Sequence, residues 1–181
     1  MGTDEVKCMD RFTASLRSSL AHGDWYVALT LALTLPDICG KIEEPGAGSQ
    51  ARYARWFENW LSHHYRRRFL GDQHDHVFMS GDDLYALRCS YLHQGDAELA
   101  GKAQQVRDAL DSFIFVQPPK DSTIHNNQSG RKLQLQVSIF CGQVADAVDS
   151  WYGARCADKR IAEAVDRLLH IYGLDRKEIR F

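Results

Sequence analysis

Apolar side chains return every three or four residues along most of the first half of the chain, a period that favours amphipathic helices packed on one another. Residues 4–22 carry Met9, Phe12, Leu16 and Leu20 at that spacing, with Gly23 as the stop. Asp24 is placed to cap a second helix from Trp25 to about Leu35, apolar nearly all round and therefore expected to be buried on most sides. Pro36 offers no amide hydrogen, so it should kink or end that helix and leave Asp37, a carboxylate between apolar neighbours, just beyond. A loop follows over 43–49, with Ser49 as a cap. The third helix, from about Gln50 to His64 or beyond, turns Tyr53, Trp56, Phe57, Trp60 and Leu61 toward the core. Residues 69–79 read as a loop.

The next helix carries the chemistry. Ser80 and Asp83 form a capping pair, and Gly95 is a natural stop. Leu84, Leu87, Arg88 and Tyr91 fall at i, i+3, i+4 and i+7, so Arg88 occupies a position where the period asks for an apolar residue. A guanidinium cannot shed its charge and there needs an anion or carbonyl oxygens. His93 lies in the last turn, where a helix end favours a cation. On an ideal helix the two side chains stand about 140° apart and about 7.5 Å along the axis, flanking a groove rather than touching.

After Gly95 the pattern weakens, with a helix in part over 97–110. Phe113 to Val116, stopped by Pro118 and Pro119, is then an aromatic and β-branched strand. Leu133, Leu135 and Val137 alternate with Gln134 and Gln136, a second strand with one wet face. Residues 126–130 are turn-rich, and 123–125 supply a third short strand. Helical spacing returns with Ile139, Val144, Val148 and Trp151, and again with Ile161, Val165, Leu168, Leu169 and Tyr172 before Gly173. The prediction is a mainly α protein: one domain over residues 1–181, five to seven helices, and a small antiparallel β insertion at about 112–137.

A chain of 181 residues, 44% hydrophobic, can bury one good core. A net charge of −2 gives no global pull toward nucleic acid, so such a site must be local. Cys8, Cys39, Cys89, Cys141 and Cys156 are odd in number and contain no C-x-x-C, which fits a reducing cytoplasm better than a disulfide framework or zinc ribbon. The longest apolar run, Trp25 to Pro36, is too short for a bilayer, and residues 1–20 lack a signal-peptide core, so no membrane is expected. His63, His64, His74 and His76 lack a ligand spacing, and neither metal nor cofactor is expected. Arg52, Arg55, Arg66, Arg67 and Arg68, interrupted only by Glu58, form a basic stretch; Arg66, Arg67 and Arg68 are candidate RNA contacts, or simply a solvated helix end.

Arg88-x4-His93 near the end of a helix resembles the signature R-x4-6-H of the HEPN superfamily. The segments 32–40, 53–60 and 85–94 are similar to a poorly characterised HEPN-like family of bacterial and plasmid proteins, a likeness running from the first helix to about Trp151. The resemblance implies a HEPN-like bundle with the β insertion after the motif helix. It further implies a homodimer whose two motifs line one cleft, and a metal-independent endoribonuclease acting as a toxin or in phage defence. Some relatives are partnered by a nucleotidyltransferase antitoxin. The catalytic candidates are then Arg88, to hold the phosphate, and His93, to move the proton, with Asp37 as an orienting carboxylate. Many active members carry Asn, Asp or His directly after the motif arginine; here it is Cys89. Two other readings are a non-catalytic HEPN module binding RNA, nucleotide or a protein partner, and a helical scaffold in which Arg88 only knits an interface.

Overall fold

The computed structural model describes residues 9–71, 73–96 and 110–171. The expected helical start at 4–8, the helix over 97–109, Cys8, Tyr172 and Gly173 lie outside them.

The long second helix organises the rest. α1 (Asp10–His22) ends on Gly23, whose positive φ of 75° is the left-handed stop read from the sequence. α2 (Trp25–Glu43) packs against α1, against α3 (Ser49–Trp60) and against α5 (Val137–Arg155). α4 (Gly81–Gln94) lies on the other side of α3, and α6 (Lys159–Asp166) closes the end of α2. Tyr53, Trp56, Phe57 and Leu61 are buried as expected, together with Leu16, Ala32, Leu33, Leu84, Leu87, Val144, Val148 and Trp151.

Pro36 does not end α2, which runs through it for another two turns. A proline opens the carbonyls one turn back, at a cost of about 3 kcal/mol in a helix interior. The carbonyl left open is that of Ala32; the neighbouring Leu33 carbonyl accepts the Tyr53 hydroxyl at 3.0 Å, and Ala32, Leu33, Leu35 and Pro36 are all buried. α2 is buried on most sides, as expected, but one face near its start is open. Tyr26 is 80% exposed and Val27 58%, and with Thr30, Leu31 and Thr34 they line a shallow outer groove. Asp24 stands at the N-cap without a side-chain capping bond.

The third helix is shorter than expected: α3 stops at Trp60, and a 3₁₀ turn, Ser62–Tyr65, leads into β1 (Arg66–Arg67). The expected loop at 69–79 contains β2 (His76–Val77), which pairs antiparallel with β1 in a small hairpin. The second sheet has β3 (Ser112–Val116), β4 (Asn127–Ser129) and β5 (Lys132–Gln136) in the order β3-β5-β4. It is mixed rather than antiparallel: the two strands read from the sequence lie parallel, and only β4 runs antiparallel to β5. The third strand falls at Asn127–Ser129, not 123–125, because Gly130 (φ 58°) makes the tight turn that registers Ser129 opposite Lys132. Phe113, Leu133 and Leu135 are buried, and the Phe115 ring meets Phe140 of α5 edge-on at 5.5 Å. Gln136 is not on a wet face; it is buried, accepting the Ile124 amide and donating to Ser138. Val137 already belongs to α5.

At the C-terminal end, α6 stops at Asp166. Asp158 caps its start, and the Leu168 carbonyl just beyond its end accepts the Arg11 guanidinium at 3.3 Å. Leu169 is consequently 81% exposed instead of lying on a core face. Among the described residues, no helix is long and apolar enough to cross a membrane.

Candidate functional site

α4 forms for local reasons. The Ser80 hydroxyl accepts the Asp83 amide while the Asp83 carboxylate accepts the Ser80 amide, the reciprocal box expected from the sequence. Gly95 closes the helix with φ 71°. Asp83 is fully buried because it also accepts the Leu110 amide at 3.0 Å, tying the helix start to the approach to β3. The buried arc is centred on Asp83, Ala86, Leu87 and Ser90, so Arg88 lies at its margin, its side chain 20% exposed.

There Arg88 meets the carboxylate its position calls for. Its Nη2 donates to Asp37 Oδ2 at 3.0 Å, and Arg52 Nη2 from α3 donates to Asp37 Oδ1, also at 3.0 Å. One carboxylate of α2 thus serves two guanidiniums from α3 and α4. All three side chains are mostly buried, between 14% and 20% exposed, and the cluster keeps a formal charge of +1. Arg52 is further held by the Ala47 carbonyl at 3.2 Å. The Nε atoms of Arg52 and Arg88 are buried with no hydrogen-bond partner among the described residues. Tyr53 is packed beside the cluster, edge-on to Tyr85 at 5.6 Å, and burial pushes its phenol pKa well above the ordinary value.

The helices come this close because glycines sit at both crossings. A Cβ on Gly81 would stand 2.6 Å from the Ala54 carbonyl oxygen, and one on Gly40 would stand 3.1 Å from that of Arg52. α3 is thereby gripped on two sides.

The structure brings Asp37 and Arg88 together, a contact common to an orienting carboxylate and to a purely structural ion pair. His93 stands apart. It is exposed in the last turn of α4 and makes no hydrogen bond or ion pair with the other three among the described residues. Two residues before it, Tyr91 reaches back to α2, its hydroxyl 3.4 Å from Thr30 Oγ1 and 3.5 Å from the Tyr26 carbonyl. The motif helix and the exposed apolar face of α2 are therefore one continuous surface.

Arg66, Arg67 and Arg68 lie elsewhere, on and just after β1. The basic stretch is largely paired: Arg52 with Asp37, Arg55 with Glu44, Arg66 with Glu58 and Arg68 with Asp75. Glu58 also accepts the Gly81 amide at 3.2 Å, so Arg66 helps anchor the start of α4. Of the five arginines, Arg67 alone has no acidic partner among the described residues; it lies 5.5 Å over the Phe69 ring. Arg52 was assigned to this stretch by the sequence, yet it belongs to the Asp37 cluster. The signal for it was Asp37 itself, a buried-looking carboxylate with two oxygens to satisfy.

Cys39, Cys89, Cys141 and Cys156 are free thiols. Burial pushes the Cys141 pKa up to about 12 and that of Cys39 well above its ordinary value, which leaves both inert. Among the described residues, no three His, Cys, Asp or Glu side chains are grouped to hold a metal ion.

The chain matches no protein-family model, no curated protein and no solved structure.

Proposed function

We propose that this protein is a metal-independent endoribonuclease of the HEPN type, acting as a two-fold dimer, as its Arg88-x4-His93 motif resembles. The observation that carries the reading is the sharing of one carboxylate by Arg52 of α3 and Arg88 of α4, the helix that also bears His93. Two guanidiniums on one anion leave an uncompensated positive charge in a partly dry setting. A replacement of such a cluster by apolar residues is often neutral or stabilising by about 1–4 kcal/mol, so stability is a weak reason for its presence. A phosphate is a better one. Arg88 uses only Nη2 on Asp37, and Nη1 remains for the ligand.

In the proposed reaction His93 takes the proton of the 2′-hydroxyl, whose oxygen attacks the adjacent phosphorus. The 5′-oxygen leaves and regains a proton from the second His93 of the dimer. Arg88 steadies the charge on the phosphoryl oxygens. The products are a 2′,3′-cyclic phosphate and a 5′-hydroxyl. Pairing through α2 and α4 is supported by the exposed face of Tyr26 and Val27 beside Tyr91, which a self-complementary two-fold contact would cover. A toxin or phage-defence role, with a nucleotidyltransferase antitoxin, belongs to the same proposal.

The test incubates purified protein with total RNA in excess EDTA, wild type beside His93→Ala. Loss of one acid–base group lowers the rate ~10²–10⁴-fold. Equal cutting by both proteins would refute the assignment of His93. Binding without cutting in both would favour the non-catalytic module, with Cys89 the first residue to exchange for Asn. The scaffold reading draws on Arg88 being paired with Asp37 within its own chain, and it requires that neither protein bind RNA.

A further inference from the structure

A second groove, about 520 Å³, opens between the β1–β2 hairpin and the β4 edge. Its walls are Arg67, Phe69, His76 and Phe78 on one side and Asn126, Asn127 and Gln128 on the other. The Phe69 ring is 44% exposed, a poor use of an aromatic if packing were its only role. Its orientation is nonetheless set, with His76 at 5.9 Å and Phe78 edge-on at 6.3 Å. His76 is itself fixed, stacked edge-on to Phe78 at 4.6 Å and donating from Nε2 to Gln128 Oε1 at 2.8 Å. Across the groove Asn126 adopts φ 52° and donates to the His64 carbonyl, which holds the strand entry against the 3₁₀ turn. Asn127 is exposed at the rim.

A prearranged aromatic face, an arginine without an acidic partner among the described residues and amide side chains along one wall are the parts that hold a nucleotide: stacking for the base, charge for the phosphate, hydrogen bonds for the base edge. We propose that this groove is a nucleotide-binding subsite, with the base against Phe69, its edge toward Asn127 and its phosphate on Arg67. The same chemistry is offered by a free mononucleotide and by one residue of single-stranded RNA. The subsite does not depend on Arg88 and His93 being catalytic.

Two probes separate the sources, 5′-AMP by calorimetry and a fluorescein-labelled mixed-sequence RNA octamer by anisotropy. Both are applied to the full chain carrying His93→Ala, so that the octamer stays intact. Phe69→Ala is expected to weaken binding ~5–150-fold, from the loss of one base stack, while Phe69→Tyr retains it. Arg67→Gln should flatten the salt dependence by about one unit of slope, whereas Arg68→Gln, already paired with Asp75, should change little. Binding of AMP marks a mononucleotide site, and binding of the octamer alone marks an RNA path. No binding of either probe overturns the proposal. So does a loss in Phe69→Ala no larger than that in Arg68→Gln, and circular dichroism of each variant ensures that the comparison is between folded proteins. Because the readout is binding, an absence of cleavage leaves the result intact.

Discussion

Replacing Asp37 by Asn keeps the size of the side chain but removes the anion shared by Arg52 and Arg88 and turns one of its two accepting atoms into a donor. Both contacts are 3.0 Å, and the three side chains are 14–20% exposed. Breaking a fully buried pair costs about 3–5 kcal/mol, whereas an exposed pair contributes about 0.2–1. The residual exposure places this site between those limits, and two unpartnered guanidiniums then also repel each other. We expect a loss of about 2–3 kcal/mol, which for a chain of this size lowers Tm by roughly 4–12 °C. Arg88→Met behaves differently. It removes one charge, keeps an unbranched side chain and leaves the Arg52–Asp37 pair whole, so its cost should stay below about 1 kcal/mol. The double variant should be more stable than the sum of the two losses predicts, since only one unpaired guanidinium remains. Urea unfolding followed by far-ultraviolet circular dichroism measures all four proteins. If Asp37→Asn is no more destabilising than Arg88→Met, the shared carboxylate is not what holds the cluster, and the argument fails.

Gly81→Ala must displace the α3 backbone, since the new Cβ meets the Ala54 carbonyl oxygen at 2.6 Å; a loss of about 1–3 kcal/mol is expected, and an unchanged urea midpoint would contradict it. His64 and His125 have pKa values held below the ordinary 6.5, first by burial and then by a neighbouring histidine. The unfolded chain therefore binds more protons, so their neutral forms favour the fold above about pH 6.5 and stability falls as pH drops below that value. A Tm that rises on acidification over that window would show the sign to be wrong, and His125→Asn should blunt the decline. Light scattering at micromolar concentration should give the mass of a dimer, and Val27→Glu on the exposed face of α2 should lower it toward that of a monomer. A mass unaffected by Val27→Glu would place the contact elsewhere.

The parts of the fold that were legible are those whose causes lie close together in the chain. Ser80, Asp83 and Gly95 define α4 because a cap and a stop act over three or four residues. The aromatic stripe from Tyr53 to Leu61 follows from a period. What escaped depends on partners far away. The continuation of α2 through Pro36 goes with the burial of Leu33, Leu35 and Pro36 against other elements, and the parallel pairing of β3 with β5 is a choice of neighbours that alternation cannot express. The hairpin at β1 and β2 is only two residues per strand, too short for any pattern. In the candidate site, Asp37 and Arg88 were both conspicuous as charges among apolar residues. Arg52 was hidden because it stood in a run of basic residues that offered a simpler reading.

The two glycines that let α3 approach its neighbours also act as a gauge for the charged cluster. Gly40 sits against Arg52 and Gly81 against Ala54, while Asp37, Arg52 and Arg88 each project from a different one of the three helices so spaced. Widening either crossing by a few tenths of an ångström would pull donors from acceptors without altering a charged group. Glycine substitutions at either crossing should accordingly disturb the cluster much as losses of its ionic side chains do. Each glycine shares a helix face with the charged residue of its own helix, Gly40 three residues from Asp37 and Gly81 seven from Arg88.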